Sequence, residues 1–154
     1  MKKTILITGG AGFIGSHLAE TLAKHYSIIV IDNLSTGNIK NLESIFDEIC
    51  FIKNNIESVD FSKLGKVDVI IHLAAQTSVQ LSIKDLQKSS HQNLSGTLSI
   101  IEFSHLNNIP VVYASSAAVY GNLSNGDDNS KNVDLLSPYA VDKYAMEKYF
   151  EMSN

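Results

Sequence analysis

The chain has 154 residues, 44% of them apolar, and a formal net charge of −4 at pH 7. This length suits one domain with an ordinary core, and the composition excludes a disordered or fibrous chain. The charge offers no basic field to nucleic acid, and no apolar run is long enough to cross a membrane. The single cysteine, Cys50, allows no intrachain disulfide, so we expect a cytoplasmic protein with Cys50 as a small core residue.

Short runs rich in Val and Ile predict five strands, which span 4–8, 27–32, 49–53, 67–74 and 109–115. The runs are nearly continuous, which is typical of strands buried on both faces of a parallel sheet. Helices are predicted at 13–25, 38–47, 79–106 and 138–152, with a short turn at 57–63 and a polar loop at 121–137. This alternation predicts an α/β fold: a doubly wound parallel sheet (Rossmann fold) with strand order 3-2-1-4-5.

The turn after the first strand has the spacing of a phosphate-binding loop. Gly9, Gly12 and Gly15 form G-x-x-G-x-x-G between a predicted strand and a predicted helix. In such a loop the first glycine permits the tight turn, the second lets the backbone approach a pyrophosphate, and the third lets the helix pack closely. The N–H groups that begin the helix then face the phosphates.

An acidic residue, Asp32, ends the second predicted strand. A carboxylate at this position accepts hydrogen bonds from the adenosine ribose and repels a 2′-phosphate. The next residue is Asn33 rather than arginine, which favours NAD over NADP as the cofactor. The alternative is a structural glycine turn with Asp32 as a cap.

These residues belong to six ordered stretches that resemble the extended short-chain dehydrogenase/reductase family, within it the NAD-dependent nucleotide-sugar epimerases and dehydratases. The stretches are TGGAGFIGSHL, DNLSTGN, HLAAQTSV, NLSGT, SSAAVYG and SPYAVDKYA, and they run from residue 8 to residue 145. The resemblance implies that 1–154 is an NAD-binding Rossmann domain. It also implies that the family's C-terminal substrate-binding domain is absent from this chain.

The resemblance further implies which positions contact NAD. They are Gly9, Gly12, Phe13, Ile14, Gly15, Asp32, Asn33, Ser35, Thr36, Gly37, Asn55, Ile56, Leu73, Ala74, Ala75, Tyr139 and Lys143. Asn55 stands where the family usually has aspartate beside the adenine, so we expect altered affinity rather than loss. Asn93 is implied near the active site, with helix packing as its alternative role.

The histidines at 17, 25, 72, 91 and 105 lack the spacing of metal ligands, so no metal site is predicted. His72 lies near the end of a predicted buried strand. We interpret it as a hydrogen-bonded core residue rather than a catalyst.

The last predicted helix contains two Tyr-x-x-x-Lys pairs, Tyr139 with Lys143 and Tyr144 with Lys148. Residues four apart share a helix face, but the two pairs are rotated about 140° from each other, so both cannot point into one site. A lysine charge beside a phenol favours the tyrosinate and lowers its pKa. The resemblance implies that Tyr139, which follows Ser-Pro, and Lys143 are catalytic. Tyr144 is then a packing or dimer-surface residue.

The resemblance also implies that Ser116 contacts the reacting hydroxyl, with Ser115 as its neighbour; the alternative for Ser115 is a hydroxyl that bonds the backbone at the strand end. The family's dehydratases carry Asp-Glu after this serine, whereas this chain has Ala117 and Ala118. That difference favours a UDP-hexose 4-epimerase-like activity by reversible hydride transfer.

Two other functions stay open: a non-catalytic NAD-binding or assembly module, and another nucleotide-sugar reaction of the family, such as dehydration or reduction. The resemblance implies a UDP-hexose substrate and a homodimer formed through the helices that carry Asn93 and Tyr139. We expect full activity to need sequence beyond Asn154.

Overall fold

The computed structural model of the protein describes residues 2–129 and 132–153. Within these residues the chain forms β1 (Thr4–Thr8), β2 (Ser27–Asp32), β3 (Ile49–Lys53), β4 (Val69–His72) and β5 (Val111–Tyr113). All neighbouring strands pair in parallel, in the order β3-β2-β1-β4-β5. The predicted α/β fold and strand order are therefore confirmed. Ser130 and Lys131, which belong to the predicted polar loop, lie outside the described residues, as do Met1 and Asn154.

The centre of the sheet is its most apolar part. Leu6 of β1 pairs with Ile29 of β2 on one side and with Ile70 of β4 on the other. Leu6 and Ile7 are fully buried, because β1 has a strand on each side and apolar residues at its centre. Small residues of the first helix, Ala19 and Ala23, join this core.

The α-helices are α1 (Phe13–Ala23), α2 (Val79–Lys84), α3 (Leu86–Ser90), α4 (Gly96–Asn107) and α5 (Pro138–Met152). In the part of the chain that the structure describes, four segments are 3₁₀-helical: Ile39–Glu48, Ile56–Ser58, Phe61–Lys63 and Ala117–Tyr120. One segment, His91–Ser95, is π-helical. No helix in the described part of the chain is long and apolar enough to cross a membrane.

The prediction of a single long helix over 79–106 was wrong, because the chain forms four shorter segments there: α2, α3, the π-helical segment and α4. The break falls at Asp85, whose carboxylate accepts a hydrogen bond from the backbone N–H of Lys88 at 3.2 Å. This carboxylate caps α3 and so begins a new helix. Apolar periodicity alone does not register such a polar interruption.

Three other predictions need correction. The helix predicted at 38–47 is the 3₁₀ segment Ile39–Glu48, and β4 and β5 are shorter than the predicted strands. Cys50 is exposed rather than buried. It lies on β3, which is an edge strand with β2 as its neighbour. The apolar run in the sequence predicted that both faces of this strand are buried, and at Cys50 that prediction was wrong.

The chain divides into two compact units. The first comprises 1–74 and 99–114 and contains the whole sheet together with α1. The second comprises 75–98 and 115–154 and contains α2, α3, the π-helical segment and α5. The phosphate-type turn therefore lies in the first unit, and both Tyr-x-x-x-Lys pairs lie in the second.

Candidate functional site

The glycine turn of the first unit is built from backbone contacts. The N–H of Gly9 donates to the carbonyl of Ile31 at 2.8 Å, and the N–H of Gly12 donates to the carbonyl of Gly9 at 3.1 Å. Gly9 has φ +71°, and a Cβ there would lie 2.7 Å from the backbone nitrogen of Ala74. Both the backbone conformation and the neighbouring chain therefore require glycine.

The start of α1 packs into this turn and leaves its own end open. A Cβ on Gly15 would lie 2.3 Å from the carbonyl oxygen of Gly9, so any side chain would push the helix away. Gly12 is the N-cap and offers no side-chain cap, and the first turn carries no acidic residue. Phe13 and Ile14 are 80% and 60% exposed. The N–H groups at this helix end suit an anionic phosphate.

Asp32 is buried at the end of β2, where its carboxylate joins two backbone segments. One oxygen accepts from the N–H of Ala11 at 2.9 Å, and the other accepts from the N–H of Leu34 at 2.8 Å. A Cβ on Gly37 would lie 3.0 Å from both carboxylate oxygens. Each oxygen keeps a further lone pair for a ligand hydroxyl.

Beside Asp32, two amide side chains meet. The Nδ2 of Asn33 donates to the Oδ1 of Asn55 at 2.8 Å, and the Oδ1 of Asn33 accepts from the N–H of Ser35 at 2.9 Å. Ser35 and Thr36 are exposed, whereas Ile56 is buried. An aspartate at 55 would accept the same bond, so the amide keeps this contact while removing one negative charge.

The segment that follows β4 is fixed to the end of β1. The N–H of Leu73 donates to the carbonyl of Thr8 at 3.1 Å, and the N–H of Ala74 lies 3.4 Å from the Thr8 hydroxyl. That hydroxyl is 2.7 Å from the Nδ1 of His72, and both residues are buried. His72 is therefore the hydrogen-bonded core residue that the sequence predicted.

The first unit combines a parallel sheet, a G-x-x-G-x-x-G turn that opens a helix, and a carboxylate at the end of the second strand. The open helix end suits the pyrophosphate of a dinucleotide, and Asp32 suits a ribose. These features define a dinucleotide-binding Rossmann fold. No group of three or more His, Cys, Asp or Glu residues within 2–129 and 132–153 lies where it could hold a metal ion.

In the second unit, α5 buries one of its two Tyr-x-x-x-Lys pairs. Tyr139 is 7% exposed and Lys143 is 3% exposed, and Met146 and Phe150 continue the buried face. The helix begins where the Ser137 hydroxyl accepts the N–H of Ala140 at 3.1 Å. Residues 139, 143, 146 and 150 follow the spacing of a single helix face.

The second pair contacts residues on a different side of α5. The Nζ of Lys148 lies 2.8 Å from a carboxylate oxygen of Glu151 and 4.9 Å from the centre of the Tyr144 ring. The Lys148 side chain is 40% exposed. This surface ion pair contrasts with the buried lysine of the first pair.

Burial changes the proton affinity of Lys143. It lowers the pKa of Lys143 from 10.5 to about 8, and the carboxylate of Asp142 acts in the opposite direction. A low-dielectric environment disfavours the charged amine, so Lys143 can gain or lose its proton near neutral pH.

The serine pair of the second unit begins a 3₁₀ turn. The hydroxyl of Ser116 accepts the N–H of Ala118 at 3.2 Å and caps the segment Ala117–Tyr120. The hydroxyl of Ser115 donates to the carboxylate of Glu147, a residue of α5. Sequence reasoning did not identify Glu147, although it lies four residues after Lys143 and thus continues the Tyr-x-x-x-Lys spacing.

A buried polar network lies beside the same helix. The amide of Asn93 accepts the N–H of Gln76 at 2.8 Å and donates to the carbonyl of Gln76 at 3.3 Å. Its Nδ2 also lies 3.4 Å from a carboxylate oxygen of Asp142. The sequence indicated Asn93 but neither Gln76 nor Asp142. In the sequence, Asp142 and Lys143 look like ordinary charged residues on an exposed helix surface. Apolar periodicity therefore does not reveal that both are buried.

The loop after the 3₁₀ turn folds back onto that turn. The Tyr120 hydroxyl donates to the Asp128 carboxylate, and this hydrogen bond raises the pKa of the phenol, since it favours the protonated form. The N–H of Asn122 donates to Asp134 at 2.9 Å. Gly121 has φ +52°, and a Cβ there would lie 2.0 Å from the Asp134 carbonyl oxygen. The described part of the predicted polar loop is therefore held by its own side chains.

Comparison with known proteins gives the family. The sequence model of the NAD dependent epimerase/dehydratase family matches residues 5–154. A putative UDP-glucose 4-epimerase of Methanocaldococcus jannaschii is 38% identical over 97% of this chain and 50% of its own length. The human dTDP-D-glucose 4,6-dehydratase is 34% identical over 97% of this chain and 46% of its own length.

Solved structures agree with this match. The UDP-N-acetylglucosamine 4-epimerase from Methanobrevibacter ruminantium has a TM-score of 0.92 and 36% identity, covering 99% of this chain and 51% of that one. The UDP-glucose 4-epimerase of Thermus thermophilus, a complex with NAD, has a TM-score of 0.85 and 32% identity, covering 97% of this chain and 50% of that one.

The chain belongs to the NAD dependent epimerase/dehydratase family. It is a family of enzymes, and NAD is its cofactor. The chain spans about half the length of the curated relatives that it matches.

Proposed function

We propose that this chain is the NAD-binding part of a UDP-hexose 4-epimerase. The observation that carries the proposal is the buried Tyr139–Lys143 pair on one face of α5, with the pKa of Lys143 lowered to about 8. A buried phenol beside a lysine that titrates near neutral pH suits proton exchange with a sugar hydroxyl. The similarity to solved UDP-sugar 4-epimerases supports the proposal.

The first unit has the task of holding the cofactor. The open N-terminus of α1 receives the pyrophosphate, and Asp32 and Asn33 receive the adenosine ribose. Ser35, Thr36 and Gly37 lie after them, and Asn55 and Ile56 lie beside the adenine. Leu73 and Ala74 line the dinucleotide after β4. Ala75, which belongs to the second unit, also lines the dinucleotide.

The second unit has the task of moving the proton. When bound, NAD would supply the hydride chemistry at the carbon that carries the sugar hydroxyl: it would take a hydride and return it to the opposite face, which would invert that carbon. The Tyr139 oxygen takes the hydroxyl proton as that carbon is oxidised and gives it back on reduction. The Lys143 ammonium stabilises the tyrosinate, and the Ser116 hydroxyl holds the sugar oxygen.

The residues after Ser116 favour epimerisation over dehydration. Elimination of water needs a base for the carbon proton and an acid for the departing hydroxyl. Ala117 and Ala118 supply neither group. Dehydration is nevertheless the second candidate, since a human 4,6-dehydratase is 34% identical to this chain.

A homodimer in the cytoplasm completes the proposal. Large apolar side chains stay exposed on the helices of the second unit, and they are Val79, Leu81, Ile83, Leu86, Val141 and Tyr149. Exposed apolar surface of this kind suits a second copy of the chain. A cytoplasmic location accords with a sequence that has one cysteine.

The test is a chimera in which residues 1–154 replace the matching half of the Thermus thermophilus UDP-glucose 4-epimerase. We expect the chimera to bind NAD and to interconvert UDP-glucose and UDP-galactose. A 4-keto-6-deoxy product would instead support the dehydratase candidate. NAD binding without change of either sugar would support the non-catalytic module and contradict the proposal.

A further inference from the structure

We propose that Asp142 is a positioning residue for the acid/base pair: its buried carboxylate anchors the Asn93 amide and serves as the counter-charge of Lys143. The proposal rests on the function above only in treating Lys143 as part of that pair. It concerns the second unit alone, and it adds a charged residue to the Tyr-Lys motif.

The first observation is burial of both charged residues at consecutive positions. Asp142 and Lys143 are each 3% exposed, which is rare for either residue type. A charged group removed from water is stable only if another charge or a hydrogen bond compensates it. The Asp142 carboxylate favours the charged form of Lys143, against the effect of burial.

The second observation is the orientation of the Asn93 amide. Its oxygen accepts the Gln76 N–H at 2.8 Å, so its NH₂ group must point toward the Gln76 carbonyl and the Asp142 carboxylate, at 3.3 and 3.4 Å. Asn93 is itself 1% exposed. The amide therefore holds Asp142 in place while it clamps the backbone that leads to α2.

The π-helical geometry places Asn93 for this contact. His91–Ser95 holds one wider turn between α3 and α4, and such turns are frequent at functional sites. The hydroxyl of Thr97 donates to the carbonyl of Asn93 at 2.7 Å, which fixes the backbone of that turn. This hydrogen bond helps to hold Asn93 where its amide reaches Asp142.

Among the described residues of the second unit, the other carboxylates on α5 and on the elements that pack against it are more exposed than Asp142. The elements of the second unit that pack against α5 are α2, α3, the π-helical segment and the 3₁₀ turn. Their titratable side chains are exposed, apart from the half-buried Tyr120, and they are Lys84, Asp85, Lys88, His91 and Tyr120. On α5 itself, Tyr139 is buried, and Tyr144, Glu147 and Lys148 are half-buried. Within the described residues of this unit, Asp142 is the buried carboxylate.

The experiment is an NMR titration of the Lys143 side chain in the 154-residue chain, with the signal assigned by its loss in Lys143→Arg. We expect a wild-type midpoint near pH 8. Asp142→Asn keeps the shape and removes the charge, so its midpoint should fall by about one pH unit. Asp142→Glu keeps the charge and should restore most of the difference.

A midpoint in Asp142→Asn equal to that of the wild type overturns the proposal. If that variant does not fold, Asp142→Ser gives a second test, since its smaller hydroxyl can still accept from the Asn93 amide but removes the charge and should lower the Lys143 midpoint. An unchanged midpoint there overturns the proposal as well. Neither titration involves NAD or sugar, so failure of the epimerase proposal is recognised separately, in the chimera assay.

A second readout measures positioning. NADH affinity at pH 7.5, followed by nicotinamide fluorescence, should weaken about threefold to tenfold in Asp142→Asn and recover in Asp142→Glu. A purely structural role would instead lower thermal stability and leave the Lys143 midpoint unchanged. A shifted midpoint with unchanged NADH affinity would contradict the positioning role.

Discussion

The glycine turn of the first unit and helix α5 of the second unit hold their residues in place by different means. Around Gly9 and Gly15, atoms of the backbone approach so closely that no side chain fits. Around Lys143, buried polar side chains such as Asp142 and Asn93 hold one another. Steric exclusion leaves a glycine pattern in the sequence, whereas a polar network is assembled from residues that are distant along the chain.

This difference predicts how each region responds to substitution. The turn has no space for an added side chain, so such a substitution should strongly lower the free energy of unfolding. In the polar network, removal of a buried charge can stabilise the fold while it weakens function, because a buried lysine costs free energy.

The largest effect is expected for Gly9→Ala. The substitution combines a left-handed backbone at φ +71° with a Cβ 2.7 Å from the Ala74 nitrogen, so the free energy of unfolding should fall by roughly 2–5 kcal/mol. Gly65→Ala is the matched control, since φ is +69° there but nothing lies within 4 Å of the added Cβ. It should cost only about 1–2 kcal/mol. Urea denaturation measures both, and equal losses would contradict steric exclusion.

The next effect has the opposite sign. Lys143→Met should raise the free energy of unfolding at pH 7 by up to about 3 kcal/mol, since burial holds the pKa near 8 instead of 10.5. The unfolded chain binds the proton more tightly, so the cost of the buried charge is fully present below pH 8. It disappears as the pH rises from about 8 to 10.5, and wild type and variant should then converge.

Lys148→Met is the control for that experiment. Lys148 pairs with Glu151 on the surface, and such pairs contribute little, so its removal should change stability by less than about 1 kcal/mol. Denaturant curves at pH 7 and pH 9.5 give the comparison. A destabilised Lys143→Met at pH 7 would show that its polar contacts outweigh its burial.

A moderate effect is expected for Asp32→Asn. One of the two N–H groups that the carboxylate now accepts, from Ala11 and Leu34, would face an amide NH₂. We expect a loss of about 1–3 kcal/mol in stability and weaker NADH binding. Asp60→Asn is the exposed control, since Asp60 also accepts the N–H two residues later, from Ser62. Its change should stay below about 1 kcal/mol by thermal denaturation.

The smallest effect on stability is expected for Glu147→Gln. The Ser115 hydroxyl can still donate to the amide oxygen, so the free energy of unfolding should change by less than about 1 kcal/mol. Turnover by the chimera should fall severalfold, because the neutral amide holds the Ser115 hydroxyl less strongly than the carboxylate does. Glu151→Gln, on the exposed Lys148 pair, should leave turnover unchanged.

Sequence patterns predicted the first unit well. The limits of β1, β2 and β3 match the predicted strands, and the strand order follows from their alternation with helices. The glycine spacing of the turn and the position of Asp32 at the end of β2 were also predicted from the sequence. The exceptions were the helix predicted at 38–47, which is 3₁₀, the shorter β4 and β5, and Cys50, because an apolar run does not reveal that a strand lies at the sheet edge.

The second unit was predicted only in part. Ser137 and Pro138 marked the start of α5, since capping and proline preferences are local. The breaks at Asp85 and His91–Ser95 were missed, because tertiary contacts such as those of Asn93 stabilise a wide turn that local propensity does not favour.

The most direct test of the central claim compares Tyr139→Phe with Tyr144→Phe in the chimera, at equal bound NAD. We predict that Tyr139→Phe lowers the interconversion of UDP-glucose and UDP-galactose by about 10²-fold or more, because the variant lacks the phenol oxygen that carries the proton in the proposed mechanism. Tyr144→Phe should keep nearly full turnover. Equal activity of the two variants, or a greater loss in Tyr144→Phe, would contradict the assignment of Tyr139 and Lys143 as the acid/base pair.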